Sequence, residues 1–223
     1  MIDVILPTYN HAHHVRVAVE SILRQSFVDF TLTIVDDGSS DDTRRRLISY
    51  EKDDRVRIFT IEHSGLPAAL NFGHSKGNSP YCTWISSDNV YHFRFLERVY
   101  EAAVASGADI VRADWVLVEL DNRHVEIVSE AEVQPLGRFG AGSDFGVAFL
   151  YRRACWEEFK YDEDLLGAED YKFFQECIKS GKSVLNIPDI LATYYVQPGS
   201  LGTSLGGAEK VRLKRKANRS IGL

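Results

Sequence analysis

The chain lacks the features that commit a sequence to a membrane, a disulfide scaffold or a polyanion. No uninterrupted apolar stretch approaches the roughly 20 residues a membrane-spanning helix requires. Cysteine occurs only at Cys82, Cys155 and Cys177, an odd number with no pair at metal-ligand spacing. A disulfide framework is therefore not expected, and a reducing, cytosolic setting is the simplest expectation. Positive charge is in deficit: the net charge of −6 argues against nucleic acid as a partner of the protein body. No basic region precedes an apolar segment at the N-terminus, so no signal peptide is expected. Internal repeats and long linkers are missing as well. What remains is ordinary for a globular protein: 223 residues, 44% of them hydrophobic, enough for one large domain with a sizeable core.

Within that frame the first half alternates strand and helix patterns. Apolar runs at Val4–Leu6, Leu32–Val35, Val56–Ile61 and Tyr81–Ile85 predict strands. Helical spacing of apolar residues follows each one: Val15 to Leu23, a stretch through Leu47 and Ile48, Leu66–Ser75, and Phe93–Ala105 with Gly107 as the stop. This order calls for an α/β fold, a mostly parallel Rossmann-like sheet flanked by helices. The second half changes character. Ile110–Leu120 and Val125–Val128 read as a hairpin across Asp121-Asn122. Phe145–Tyr151, Val184–Ile187 and Ile190–Val196 read as strands, Arg153–Phe159 as a short helix, and Glu169-Asp170 opens another helix. We expect one domain over residues 1–205, with a nucleotide-binding half (1–106) and a smaller antiparallel, acceptor-binding half (107–205), then a basic tail (206–223).

Four polar segments stand at the ends of these elements. Pro7-Thr8-Tyr9-Asn10 closes the first strand and Asp36-Asp37-Gly38-Ser39 the second. In open α/β sheets ligands bind at that edge, and adjacent carboxylates there are costly unless a cation or a set of N–H donors uses them. The pair could grip a nucleobase and ribose, hold Mg²⁺ as in a receiver domain, or serve a phosphatase. The structural alternative is an Asx turn with Gly38 and a helix cap from Ser39 to Asp42. Ser86-Ser87-Asp88-Asn89 ends the fourth strand, where a carboxylate suits oxygen ligation of a divalent cation or caps the next helix. Glu169-Asp170 begins a helix, where the dipole favours carboxylates and where one could act as a general base.

These segments resemble, in order and approximate spacing, the inverting family 2 glycosyltransferases of the GT-A fold. Ser21-Ile22-Leu23-Arg24-Gln25-Ser26, and Gly65 with Ala69-Leu70-Asn71, join the likeness, which runs to about Leu205. The resemblance implies transfer of a sugar from a nucleotide-diphosphate donor, most commonly a UDP-sugar, to a glycan or lipid-linked acceptor. Pro7, Thr8, Tyr9, Asn10, Asp36, Asp37, Gly65 and Ser87 would form the nucleotide site, with Tyr9 packed on the base. Asp88, beside Asn89, would hold Mn²⁺ or Mg²⁺ against the diphosphate. Asp170 would be the base, with Glu169 helping to position the acceptor. The receiver or phosphatase reading fits less well, because Lys76 lies in a loop after a helix.

The departures from the family pattern cluster at the diphosphate end. The first acid of Asp-x-Asp is Ser86, an acidic position is Asn89, a basic one is Leu70, and a late His is Gln197. They leave open a non-catalytic, scaffold role. Other features have plainer readings. His11, His13 and His14 suit a solvent-facing helix start near the substrate entrance better than tetrahedral ligation, and His63 lies in a loop that could line the base pocket. Trp115 and Trp156 read as packing, and the glycines from Gly137 to Gly146 as a mobile loop. The tail carries Lys210, Arg212, Lys214, Arg215, Lys216 and Arg219 against Glu209 alone. It reads as a solvated, frayed terminus, or as a peripheral contact with an anionic membrane surface.

Overall fold

A computed structural model describes residues 1–119, 123–129, 146–196 and 207–222. Strands β1 (Ile2–Thr8), β2 (Phe30–Asp36), β3 (Val56–Thr60) and β4 (Tyr81–Trp84) alternate with helices α1 (Val15–Leu23), α2 (Thr43–Leu47) and α3 (Leu66–Ser75). The short β5 (Val90–Tyr91), α4 (Phe95–Ser106), β6 (Ile110–Glu119), β7 (His124–Val128), β8 (Phe149–Arg152) and α5 (Arg153–Phe159) follow. Then come α6 (Glu169–Lys179), β9 (Val184–Val196) and α7 (Gly207–Ser220). One sheet runs in the order β3-β2-β1-β4-β8-β6-β9-β5, with β7 paired to β6. The first four strands are parallel. Antiparallel pairing begins at β4–β8 and recurs at β6–β8, β6–β7 and β5–β9.

Strand alternation divides the core into two layers. Ile2, Val4 and Leu6 of β1 face α1, α2 and α4, where Val15, Val19, Ile22, Leu47, Phe95 and Val99 are buried. Ile5 faces the opposite layer, built from Leu70 of α3, Cys155 and Trp156 of α5, and Phe173, Phe174 and Cys177 of α6. A period-2 strand exposes both faces, so helices must cover both. Asp3 points into this second layer and is paired there with Arg153 at 2.5 Å, while Ser79 donates to it from its backbone and its hydroxyl. All three cysteines are buried and free.

The late strand forms one element rather than two. The break between its halves survives as an irregularity: β6 pairs Ala113 with Ile187 and then Asp114 with Ile190. Pro188, which has no N–H, and Asp189 are thus passed over in the ladder, as expected for proline in a strand. The C-terminal tail departs further from expectation. Instead of fraying it is helix α7, seated through Leu213 and Ala217 on Leu165, Ala168 and Tyr171. The hairpin turn Asp121-Asn122, Gln197 and the glycines Gly137, Gly140 and Gly142 lie outside the described residues. No helix among the described residues is long and apolar enough to cross a membrane.

Candidate active site

The parallel strands bring their C-terminal tips together along one edge, and side chain-to-backbone bonds stitch the loops beyond them. Asn10 adopts φ 54°, a left-handed conformation that asparagine tolerates better than most residues. Its amide oxygen accepts the Ser40 N–H at 2.8 Å, and its own N–H reaches Ser39 Oγ at 2.9 Å. His11 N–H donates to Thr43 Oγ1 and Ala12 N–H to Asp41 Oδ2. The loop after β1 is thereby fixed to the loop after β2.

Asp36 and Asp37 have different surroundings. Both are buried. Asp36 accepts the Ser39 N–H through Oδ1, while its Oδ2 has no partner, and neither does Thr8 Oγ1. These two residues are register partners in β1 and β2. A buried carboxylate oxygen without a donor is costly, so the strand tips hold hydrogen-bonding capacity that the fold itself does not use. Asp37 instead organises the loop after β3. It accepts the Ser64 N–H at 2.8 Å, the Gly65 N–H at 2.9 Å, and approaches His63 Nδ1 at 2.9 Å. Gly38 and Gly65 make this turn possible with φ of 75° and 91°, and a Cβ on Gly38 would stand 2.9 Å from the His63 nitrogen. His63 then stacks on Tyr9, ring centroids 4.0 Å apart and 16° from parallel. Tyr9 remains 41% exposed, leaving aromatic surface open to a flat ligand. Pro7 is buried in β1 beside Val35.

The fourth strand end faces the histidines. His11 Nδ1 lies 2.6 Å from Ser87 Oγ, and the His11 and His14 rings meet edge to face. Only His13 is exposed; His11 and His14 are half-buried, so the solvent-facing reading holds for one of the three. Burial pushes the Asp88 carboxyl above its ordinary range, while His11 and His14 pull it back. Asn89 turns away from this edge: it is 2% exposed, and its amide oxygen accepts the Tyr195 N–H of β9 at 3.2 Å. Its place is thus a clasp between strand end and β9. Among the described residues no group of three or more His, Cys, Asp or Glu is arranged to hold a metal ion. The oxygen chemistry of Asp88 fits Mn²⁺ or Mg²⁺, provided that a bound diphosphate supplies most of the ligands.

Glu169 and Asp170 open α6 but face different surroundings. Glu169 is buried, 4% exposed, and accepts the Gly167 N–H at 2.5 Å. Burial, with the charge of Asp170 next, raises its pKa to about 8. It shapes the turn and holds a proton at neutral pH rather than offering a free carboxylate to an acceptor. Asp170 is half-buried and takes the Tyr171 N–H at 2.6 Å. Tyr194 of β9 lies between this end and the Asp88 end in electrostatic terms. Burial first, then the negative charges of Asp88 and Asp170, raise its phenol pKa. Tyr194 is therefore within electrostatic reach of both carboxylates, a role the sequence pattern did not reveal.

Asn71, a motif residue without an assigned task, supports the loop that leads to Asp170. Its amide donates to the Tyr161 carbonyl and to Glu163, and its oxygen accepts the Tyr161 N–H and the Trp156 indole N–H. Trp156 is packing, as expected, in the layer of α5 and α6. Trp115 is half-buried and meets Tyr194 edge to face.

The model of the family described as glycosyl transferase family 2 matches residues 3–159. An uncharacterised glycosyltransferase of Rickettsia felis is 32% identical over 142 residues, 62% of this chain and 23% of that protein. The chain spans less than a quarter of the length of the first curated relatives it matches. The structure of S. aureus TarS 1–349 in complex with UDP-GlcNAc superposes with a TM-score of 0.81 at 18% identity, over 99% of this chain and 66% of that one. The mannosyltransferase PcManGT of Pyrobaculum calidifontis, in complex with GDP-Man and Mn²⁺, gives 0.76 at 17% identity, over 98% and 64%. At such identities the likeness establishes the fold, which is GT-A. With the family model matched from the first strand to the end of α5, the chain belongs to glycosyl transferase family 2.

Proposed function

We propose that this chain transfers a sugar from a nucleotide-diphosphate donor, a UDP-sugar in the simplest case, to a hydroxyl of a glycan or lipid-linked acceptor, with inversion. The observation that carries this reading is the strand-tip edge, where Asp37 anchors the Ser64–Gly65 turn and the 41%-exposed Tyr9 ring stacks on His63. The nucleoside lies against Pro7, Thr8, Tyr9 and Asn10. Tyr9 offers its ring to the base, and the free acceptors of Asp36 and Thr8 receive ligand donors. Asp37 holds the loop through Gly65 that borders the base, and Ser87, bonded to His11, lines the phosphate end. A divalent cation, held by Asp88 and the diphosphate, would neutralise the leaving group. Asp170 accepts the acceptor proton as the hydroxyl attacks the anomeric carbon. A single in-line displacement needs one such base. Glu169 is buried, with its pKa raised to about 8, whereas Asp170 at the same helix start is only half-buried. The domain division at residue 106 follows this split of donor and acceptor roles.

A peripheral contact with an anionic membrane surface belongs to the same proposal. On α7, Arg212, Arg215 and Arg219 are exposed at a spacing that places them on one helix face. The alternative, a scaffold that binds nucleotide sugars without turnover, draws on the single carboxylate of the metal end. An assay of nucleoside-diphosphate release from UDP- and GDP-sugars, with Mn²⁺ and a panel of soluble oligosaccharides, separates the two. Acceptor-dependent release that disappears in Asp170→Asn supports transfer. Equal release by that variant removes Asp170 as the base, and binding without release by the native chain supports the scaffold.

A further inference from the structure

The loop that delivers Asp170 is held from two sides. Asn71 of α3 fixes its beginning, Tyr161 to Glu163, and Lys172 reaches back to Asp162 at 3.1 Å. Its later part, from Asp164 to Ala168, packs against α7. Leu165, Ala168 and Tyr171 form a small cluster with Leu213 and Ala217, separate from the two main layers of the core. Leu213 and Ala217 are four residues apart, so they share one face of the helix. Polar contacts tie the same face at three further points. The Tyr171 hydroxyl donates to Asn218 Oδ1 at 3.0 Å, the Lys214 ammonium stands 4.7 Å over the Tyr171 ring, and Lys216 donates to the Asp164 carbonyl at 3.0 Å. Tyr171 is thus gripped by its ring and its hydroxyl, and its own N–H is bonded to the Asp170 carboxylate at 2.6 Å. The family model's match ends at residue 159, well before α7.

We propose that α7 is a clamp that positions the Asp170 carboxylate: it fixes Tyr171 and the Leu165–Ala168 turn, and through them the start of α6. Leu213, Ala217 and Asn218 are positioning residues for the reaction, not catalytic ones. A catalytic group must be held within a fraction of an ångström to be effective, and the buried apolar residues of this turn cluster with those of α7. The assignment of a reaction to Asp170 rests on the proposed function; the clamp itself is tested without it.

The test is hydrogen–deuterium exchange of the full chain, native and Leu213→Asp, with donor kinetics in parallel. We expect the amides of residues 164–171 to exchange at least tenfold faster in the variant, with β1, β2 and α1 unchanged. Nucleotide KM should stay within twofold while kcat falls at least tenfold, and Leu213→Met should restore both. Faster exchange confined to residues 207–222, with the 164–171 amides still protected, would overturn the clamp. If Leu213→Asp loses protection throughout the chain, Tyr171→Phe decides: it keeps the ring and removes the hydroxyl that donates to Asn218. Faster exchange at 164–171 in that variant supports the clamp, and an unchanged pattern refutes it. A native chain without transferase activity would defeat the proposed function and leave the exchange result to judge the clamp.

Discussion

Replacing Glu169 with glutamine isolates the consequence of burying a carboxyl at the head of α6. In the native fold Glu169 is raised from 4.5 to about 8 by burial and by the charge of Asp170. The unfolded chain releases this proton near the ordinary value, so between pH 4.5 and 8 the folded state binds more protons than the unfolded one. Stability must then fall as pH rises through that window, and the loss is complete above pH 8. At about 1.36 kcal/mol per pH unit the span corresponds to roughly 5 kcal/mol in the limit of a rigid, dry site. Glutamine keeps the shape and an oxygen for the Gly167 N–H, but has no proton to lose. The difference in unfolding free energy between Glu169→Gln and the native chain should therefore grow by several kcal/mol from pH 5 to pH 9, in favour of the variant. Urea unfolding at a series of pH values measures it, with the slope of free energy on urea as a check that the unfolded states match. Carboxylates remote from Glu169 titrate equally in both proteins and cancel in the difference; Asp170 is coupled to Glu169 and titrates with it, so the difference reports the pair. Parallel pH profiles would refute the buried, protonated state of Glu169.

Further outcomes follow from the same geometry. Arg153→Leu leaves Asp3 buried without its cation and should cost about 3–5 kcal/mol in urea unfolding; a loss below 1 kcal/mol would mean that Ser79 alone satisfies the carboxylate. Asp88→Ala should abolish the part of nucleotide binding that depends on Mn²⁺. Asn89→Ala should spare that part and cost about 1 kcal/mol of stability through the lost bond to Tyr195; the reverse order would mean that Asn89 is the ligand.

The fold was legible where local signals agree. Helix α3 spans Leu66–Ser75 and α5 spans Arg153–Phe159, as the apolar spacing indicates, and the parallel strands followed from apolar runs ended by polar residues. Strand β5, two residues long, carries no pattern a sequence can show. The two late runs read as separate strands because Pro188-Asp189 interrupts them; tertiary pairing with β6 bridges the interruption. Helix α7 was hidden because, among its described side chains, Leu213 and Ala217 are the buried apolar ones, and their partners lie over forty residues away in sequence. At the site, residue types marked the strand tips, yet the side chains divide their work in ways that sequence cannot show. Asp37 serves its neighbouring loop while Asp36 keeps a free oxygen, Asn89 clasps β9, and Glu169 turns inward. Sequence placed His11 near the entrance but not against Ser87, because that contact joins the neighbouring tips of β1 and β4 across 76 residues of chain.

On the proposed function the stitched strand tips form a nucleotide site. Calorimetric titration of UDP, GDP, CDP and dTDP, with and without Mn²⁺, into the native chain and Asp37→Ala tests it most directly. Saturable binding of at least one nucleoside diphosphate by the native chain is expected. Affinity should be at least tenfold weaker in Asp37→Ala, because Ser64, Gly65 and His63 lose their common anchor. Failure of the folded native chain to bind any of the four, or equal affinity in the variant, would contradict it.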